Sequence, residues 1–164
     1  MVIWFVGLSG SGKSYFANQI LRILNKKKIK TIHIDGDEVR KYITKDLKYS
    51  VNDRKKNSIL ISGLCKFLEA KGYTVICSIL SIFPKHQKNN RKIFKKYIQI
   101  FIDVDLNKLK KRNNKRLYDK RNVIGKKIKF PKPYKSDLII SNNFQKKKTK
   151  IDLKRISKII YDKL

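Results

Sequence analysis

Residues 7–14 read Gly7-Leu8-Ser9-Gly10-Ser11-Gly12-Lys13-Ser14, a full match to G-x-x-x-x-G-K-[ST]. The run Val2-Ile3-Trp4-Phe5-Val6 before it is continuously apolar, as in a strand buried on both faces of a parallel sheet. After it, Phe16, Ala17, Ile20, Leu21 and Leu24 recur at helical spacing. A strand, a glycine loop and a helix in that order leave few folds open. The glycines let the backbone curl so that successive N–H groups point inward, and the helix start adds the positive end of its dipole. The concavity fits a chain of phosphates. Gly7, Leu8, Ser9, Gly10, Ser11, Gly12, Lys13 and Ser14 are therefore expected to bind ATP, with Lys13 reaching the β and γ phosphates and the Ser14 hydroxyl offered to Mg²⁺.

Further along, residues 31–34 read as a second strand ending at Asp35-Gly36-Asp37. Asp53 is expected to cap a helix that runs to about Ala70, with Ile59, Leu60, Leu64, Phe67 and Leu68 on its buried side and Lys71-Gly72 as its stop. Residues 73–80 and 97–104 read as the third and fourth strands, separated by a basic helix over 85–96. Leu138-Ile139-Ile140 is a short fifth strand, and the last fifteen residues, with Ile151, Ile156, Ile159 and Ile160, form a closing helix. Alternating strands and helices predict a three-layer α/β fold with a mainly parallel five-stranded sheet, that of the P-loop NTPases, with ligands at the carboxyl ends of the strands. One domain over residues 1–164 is expected, with a basic, proline-containing lid at about 112–135.

The loop alone does not separate kinases from other triphosphate-binding proteins. The chain has neither a guanine-reading N-K-x-D nor a hydrophobic run ending in Asp-Glu, and its 164 residues leave no room for appended motor domains. A small-molecule kinase is the class that fits.

The 42 Lys and Arg against 12 Asp and Glu, a formal charge of +30, invite a polynucleotide kinase or RNA-binding reading. Yet 34 of these cations are Lys, and Lys, Ile and Asn fill 70 of 164 positions, all residues with AT-rich codons. The aromatic residues are not interleaved with the basic ones as a stacking platform would require. A small nucleotide substrate is expected, and nucleic acid is not. Cys65 and Cys77 read as reduced core thiols rather than metal ligands, and His33 and His86 as structural or exposed. The apolar start is too short for a signal sequence and no segment approaches the length of a membrane span, so a cytoplasmic location is expected.

The second informative segment is Ile34-Asp35-Gly36-Asp37-Glu38-Val39-Arg40, followed by Asp46-Leu47-Lys48-Tyr49-Ser50 and Asp53-Arg54-Lys55-Lys56-Asn57. A carboxylate and two arginines behind a strand end suit an acceptor site, the carboxylate to orient and deprotonate a hydroxyl and the arginines to clamp an anion. Asp35 reads as the residue that caps or turns the loop, and Asp37 as the working carboxylate.

With the glycine loop, this spacing closely resembles the adenylylsulfate (APS) kinase family, which carries G-L-S-G-S-G-K-S, D-G-D-x-x-R and D-L-G-F-S-x-x-D-R-x-x-N. The resemblance continues through Ser78-Ile79-Leu80-Ser81, through residues 112–118 and through residues 133–140, covering roughly 2–142. It implies Asp37 as the base, or as a carboxylate that orients Mg²⁺ through water. It implies Arg40, Arg54 and Asn57 as ligands of the acceptor's 5′ anion and sugar, and Tyr49 in place of a phenylalanine that stacks on the acceptor base. Ser81 would sit by the acceptor phosphate and Lys115 in the lid. The implied reaction moves the γ-phosphoryl of ATP to the ribose 3′-hydroxyl of a nucleotide whose 5′ end is a mixed anhydride, and the implied assembly is a homodimer.

The departures from the family pattern cluster on the acceptor side. Asn113, Arg116 and Ile82 replace an aspartate, a glycine and a proline, and the lid's F-T-G is Val123-Ile124-Gly125. Losing one aromatic face of a base sandwich costs on the order of 1 kcal/mol. A smaller base becomes credible, and cytidine diphosphoramidate, the acceptor of an APS-kinase-like enzyme in capsule polysaccharide decoration, is slightly favoured over adenylylsulfate.

Overall fold

A computed structural model describes residues 1–112, 124–125 and 128–164. Strand β1 (Val2–Val6) is wholly buried and lies at the centre of a five-stranded sheet of order β2-β3-β1-β4-β5. The other strands are β2 (Thr31–Asp35), β3 (Thr74–Ile79), β4 (Tyr97–Asp103) and β5 (Leu138–Ser141); β1 pairs with β3 and β4, β2 with β3 and β5 with β4, all in parallel. Successive side chains of a strand point to opposite faces, so β1 serves two cores. Ile3 and Phe5 pack with Phe16, Ile20 and Leu24 of α1 (Lys13–Lys26) and with Ile156 and Ile160 of α6 (Lys146–Tyr161). Val2, Trp4 and Val6 face the other way, against Val39 of α2 (Gly36–Tyr42), Ile61 and Cys65 of α3 (Val51–Ala70) and Phe94. This is the three-layer P-loop α/β fold.

Two short helices, α2 and α5 (Leu106–Lys111), were not expected from the sequence. Each is too brief for a periodic apolar signal, and each is started by an aspartate: Asp35 Oδ1 accepts from the Asp37 N–H and Asp105 Oδ1 from the Lys108 N–H. The cap of α3 is corrected from Asp53 to Ser50, whose hydroxyl accepts from the Asp53 N–H at 3.1 Å. The buried side of α3 is corrected too. Ile59 and Phe67 are 56% and 58% exposed, and the inner face instead carries Asn57, Ser58, Ile61, Ser62 and Cys65. Leu64 and Leu68 do pack against the core as expected, beside Ile61 and Cys65, while the polar part of the face is hydrogen-bonded: Ser62 donates to Asn90 Oδ1 on α4 (Pro84–Ile93), and Ser58 Oγ lies 3.0 Å from His86 Nδ1. In the closing helix Ile156 and Ile160 are buried as expected, whereas Ile151 is exposed.

The sheet order places the reversal of strand order at β1, so the loops after β1, β2 and β3 open at one crevice. Most of the expected lid, residues 113–123 and 126–127, lies outside the described residues, and Lys115 with it. Among the described residues no helix is long and apolar enough to cross a membrane.

Candidate active site

The glycine loop leaves β1 at Gly7 and enters α1 at Lys13. Gly12 stands at φ +99°, where a Cβ would meet Asn142 Nδ2 at 2.8 Å, so glycine is required by conformation and by space. Asn142, just past β5, donates from Nδ2 to the Ser11 carbonyl at 2.9 Å and ties the loop to the far strand. Lys13 Nζ donates to the Leu8 carbonyl at 2.8 Å and so lies folded over the loop. The Ser11 hydroxyl is fully buried and has no hydrogen-bond partner among the described residues. A buried orphan hydroxyl is costly unless something binds there.

At the rim, the carboxylate that meets Ser14 is Asp35. Ser14 donates to Asp35 Oδ2 at 2.6 Å, Ser78 donates to the same oxygen at 2.9 Å, and the Asp37 N–H reaches Oδ1 at 2.9 Å. Burial pushes the Asp35 pKa up, but these three hydrogen bonds outweigh it and hold the carboxyl below its ordinary value, ionised. Asp35 therefore caps α2, as the sequence suggested, and also faces the phosphate loop. Behind it, His33 Nε2 lies 2.9 Å from Ser78 Oγ, and His33 Nδ1 lies 3.1 Å from Asn18 Oδ1. Burial lowers the His33 pKa despite the nearby Asp35 and Glu38 charges.

Asp37 sits exposed in the first turn of α2, near enough to Arg54 to act on its charge. Arg40 and Arg54 bracket Tyr49, their guanidinium carbons 4.9 and 5.3 Å from the ring centroid. Arg40 Nη1 donates to the carbonyls of Leu47 and Lys48, and Arg54 Nε to that of Tyr49. The ion pairs among the described residues lie elsewhere, at Glu69, Asp137 and Asp152, and neither arginine has a carboxylate partner. Burial, followed by the like charge of Arg40, pulls the Arg54 pKa down. Two unpaired, partly desolvated guanidiniums side by side form a site for an anion.

The structure thus gathers Asp37, Arg40, Tyr49 and Arg54 around the segments that follow β2. The other two acceptor candidates are more enclosed. Asn57 is buried with Oδ1 accepting from Thr44, and Ser81 is buried with its hydroxyl accepting from Gln87 Nε2.

The family model for adenylylsulphate kinase matches residues 1–141. The chain belongs to the adenylylsulphate kinase family. The adenylyl-sulfate kinase of Buchnera aphidicola from Schizaphis graminum is 32% identical over 99% of this chain and 80% of its own length. The cytidine diphosphoramidate kinase of Campylobacter jejuni is 35% identical over 87% of this chain and 86% of its own. The Mycobacterium tuberculosis APS kinase, solved in complex with AMPPNP and APS, matches with a TM-score of 0.83 at 28% identity, over 94% of this chain and 96% of that one. This family member is accordingly a kinase, a phosphotransferase acting on a hydroxyl.

Sequence reasoning missed Asn142, Asn18 and Ser78, and read His33 as merely structural or exposed. Strand alternation could have flagged the histidine, since His33 and Asp35 are two apart and share a face of β2. Asn142 carried no local signal, because it meets Ser11 across 131 residues of chain.

Proposed function

We propose that this kinase transfers the γ-phosphoryl group of ATP to the ribose 3′-hydroxyl of a nucleotide whose 5′ end is a mixed anhydride, with cytidine diphosphoramidate slightly favoured as acceptor. The observation that carries the reading is the pair of arginines on Tyr49 that have no ion pair among the described residues, with Arg40 one helical turn after Asp37 on α2, the helix that Asp35 caps beside the phosphate-binding loop. The arginines hold the acceptor's 5′ anion, Tyr49 offers its exposed ring to the base, and the amide N–H donors of Asn57, whose oxygen is committed to Thr44, face the sugar. By the family resemblance Ser81 serves the acceptor phosphate, and Lys115, outside the described residues, is assigned to substrate binding on that resemblance alone.

In the chemical step the 3′-oxygen forms a bond to the γ-phosphorus as the bond to the β–γ bridging oxygen breaks, and ADP leaves. The hydroxyl proton goes to the Asp37 carboxylate. Lys13 unfolds from the Leu8 carbonyl onto the β and γ oxygens, and the loop N–H groups hold the phosphates in line.

Mg²⁺ fits the residues present. Ser14 donates its proton to an ionised Asp35, which leaves its oxygen lone pairs for a cation and sets a negative charge beside them. Ser14 would bind the ion directly and Asp35 through water, a place the sequence had assigned to Asp37. Such an ion supplies charge neutralisation on the phosphates.

Adenylylsulfate is the second reading, supported by the family model and by the resemblance to an APS-bound relative. The absence of an aromatic residue at Val123-Ile124 supports the smaller pyrimidine instead. A coupled assay of ADP release from Mg-ATP with each acceptor tests both. Turnover at least tenfold above the acceptor-free background is expected with one of them and is lost in Asp37→Ala. No stimulation by either acceptor refutes the 3′-kinase reading, and full activity of Asp37→Ala refutes the assigned base.

A further inference from the structure

We propose that His33 is a positioning residue for the metal side of the site, acting through Ser78 on Asp35. The inference rests on the reading of Ser14 and Asp35 as the Mg²⁺ site. Its basis is a proton count along a chain of side chains. Ser78 has one hydroxyl proton and gives it to Asp35 Oδ2. The 2.9 Å bond between His33 Nε2 and Ser78 Oγ must then be donated by the ring, because Ser78 has nothing left to donate. The ring therefore carries its proton on Nε2, and its Nδ1 accepts from the Asn18 amide once the NH₂ of that amide faces it.

The consequence falls on Asp35. Oδ2 is held by two hydroxyls, Ser14 and Ser78, and Oδ1 by the Asp37 N–H. With Oδ2 engaged twice, the lone pair left to the carboxylate is the one on Oδ1, and that is the one a metal-bound water would use. Ser78 can stay aimed at Asp35 only while its own oxygen is engaged from behind, since a hydroxyl rotor otherwise finds other acceptors. His33 supplies that engagement from the same face of β2, and Asn18 of α1 anchors the ring. The relay thus joins the helix that carries Ser14 in its first turn to the strand that ends with Asp35, behind the contact between these two residues.

Binding of the non-hydrolysable ATP analogue AMPPNP, measured by calorimetry with excess Mg²⁺ and again in EDTA, isolates the metal's share of affinity. In the unaltered kinase Mg²⁺ should raise affinity at least tenfold. His33→Leu and Ser78→Ala should each reduce that increment about three- to tenfold while leaving the EDTA affinity unchanged. The double variant should lose no more than either single one, and His33→Gln, whose amide nitrogen can donate to Ser78, should recover most of the increment. The relay is overturned by a full increment in Ser78→Ala, by a loss of equal size with and without Mg²⁺, or by failure of His33→Gln to recover what His33→Leu loses. Should His33→Leu not fold, the Ser78→Ala and His33→Gln results decide the matter. Absence of any Mg²⁺ increment in the unaltered kinase is a separate result, which removes the metal reading itself and the relay with it.

Discussion

The donor and acceptor halves of the site are built on different principles. The donor half is a backbone device: a curled loop between a buried strand and a helix, closed by contacts from Lys13 to Leu8, Asn142 to Ser11 and Ser14 to Asp35. The proposed acceptor half is a side-chain device: Arg40 and Arg54 lean on Tyr49, itself 56% exposed, and hold their loop through its carbonyls with no ion pair to either among the described residues. A backbone cradle tolerates little variation, because changing it moves the glycines and the strand end. A side-chain clamp can be retuned one residue at a time. The family carries acceptors as different as those named in its APS and cytidine diphosphoramidate relatives on one donor loop, which suits this division.

The contrast makes predictions that can break it. The largest effect is expected at Lys13→Ala, which should lower kcat by about a hundred- to a thousandfold with either acceptor, because the lost charge acts on the transferring phosphoryl. A drop that differs strongly between acceptors would mean the two halves are not separable. Next, Arg54→Ala should raise the acceptor KM by roughly ten- to a hundredfold and leave the ATP KM within about twofold, as expected for removing one charge-assisted clamp. An equal rise in both constants would place Arg54 in the donor half.

A pH scan of stability checks the frame that supports both halves. Burial acts to raise the Asp137 pKa, but Arg91, the Gln99 N–H and Lys163 more than reverse it, so the folded value lies below the ordinary 3.8. A depressed carboxylate contributes stability above its unfolded pKa and loses it as pH falls through the folded one. Chemical denaturation should therefore show stability falling through this group as the pH drops below its unfolded value of about 4. Asp137→Asn should flatten that part of the curve and lower stability at pH 7. The smallest effect is expected from Asn142→Ala, which removes two neutral hydrogen bonds, one to the Ser11 carbonyl and one from the Phe144 N–H. It should raise the ATP KM a few-fold, about 1 kcal/mol, and leave the acceptor KM unchanged.

Legibility followed the same division. The inner strands β1, β3 and β4 could be read from apolar runs because they are buried in a sheet covered by helices, the partly exposed edge strands β2 and β5 from shorter runs, and the phosphate loop because its residues are contiguous. The polar part of the inner face of α3 could not, because it is built from hydrogen bonds. Apolar periodicity pointed to Ile59, Leu60 and Phe67, whereas Asn57, Ser58 and Ser62 face inward to meet Thr44, His86 and Asn90. Asp35 was legible as a cap from its neighbours in sequence. Its contact with Ser14, across 21 residues, was not.

The sequence by itself determined the fold class, the triphosphate loop and the set of charged groups offered to an acceptor, since each depends on residues adjacent in the chain or on a period along it. Tertiary structure alone decided which carboxylate meets Ser14, that His33 and Ser78 stand behind it, and that Arg40 and Arg54 share one tyrosine with no ion pair among the described residues. Those facts arise where separate strands and helices meet, and no local propensity encodes the distance between them.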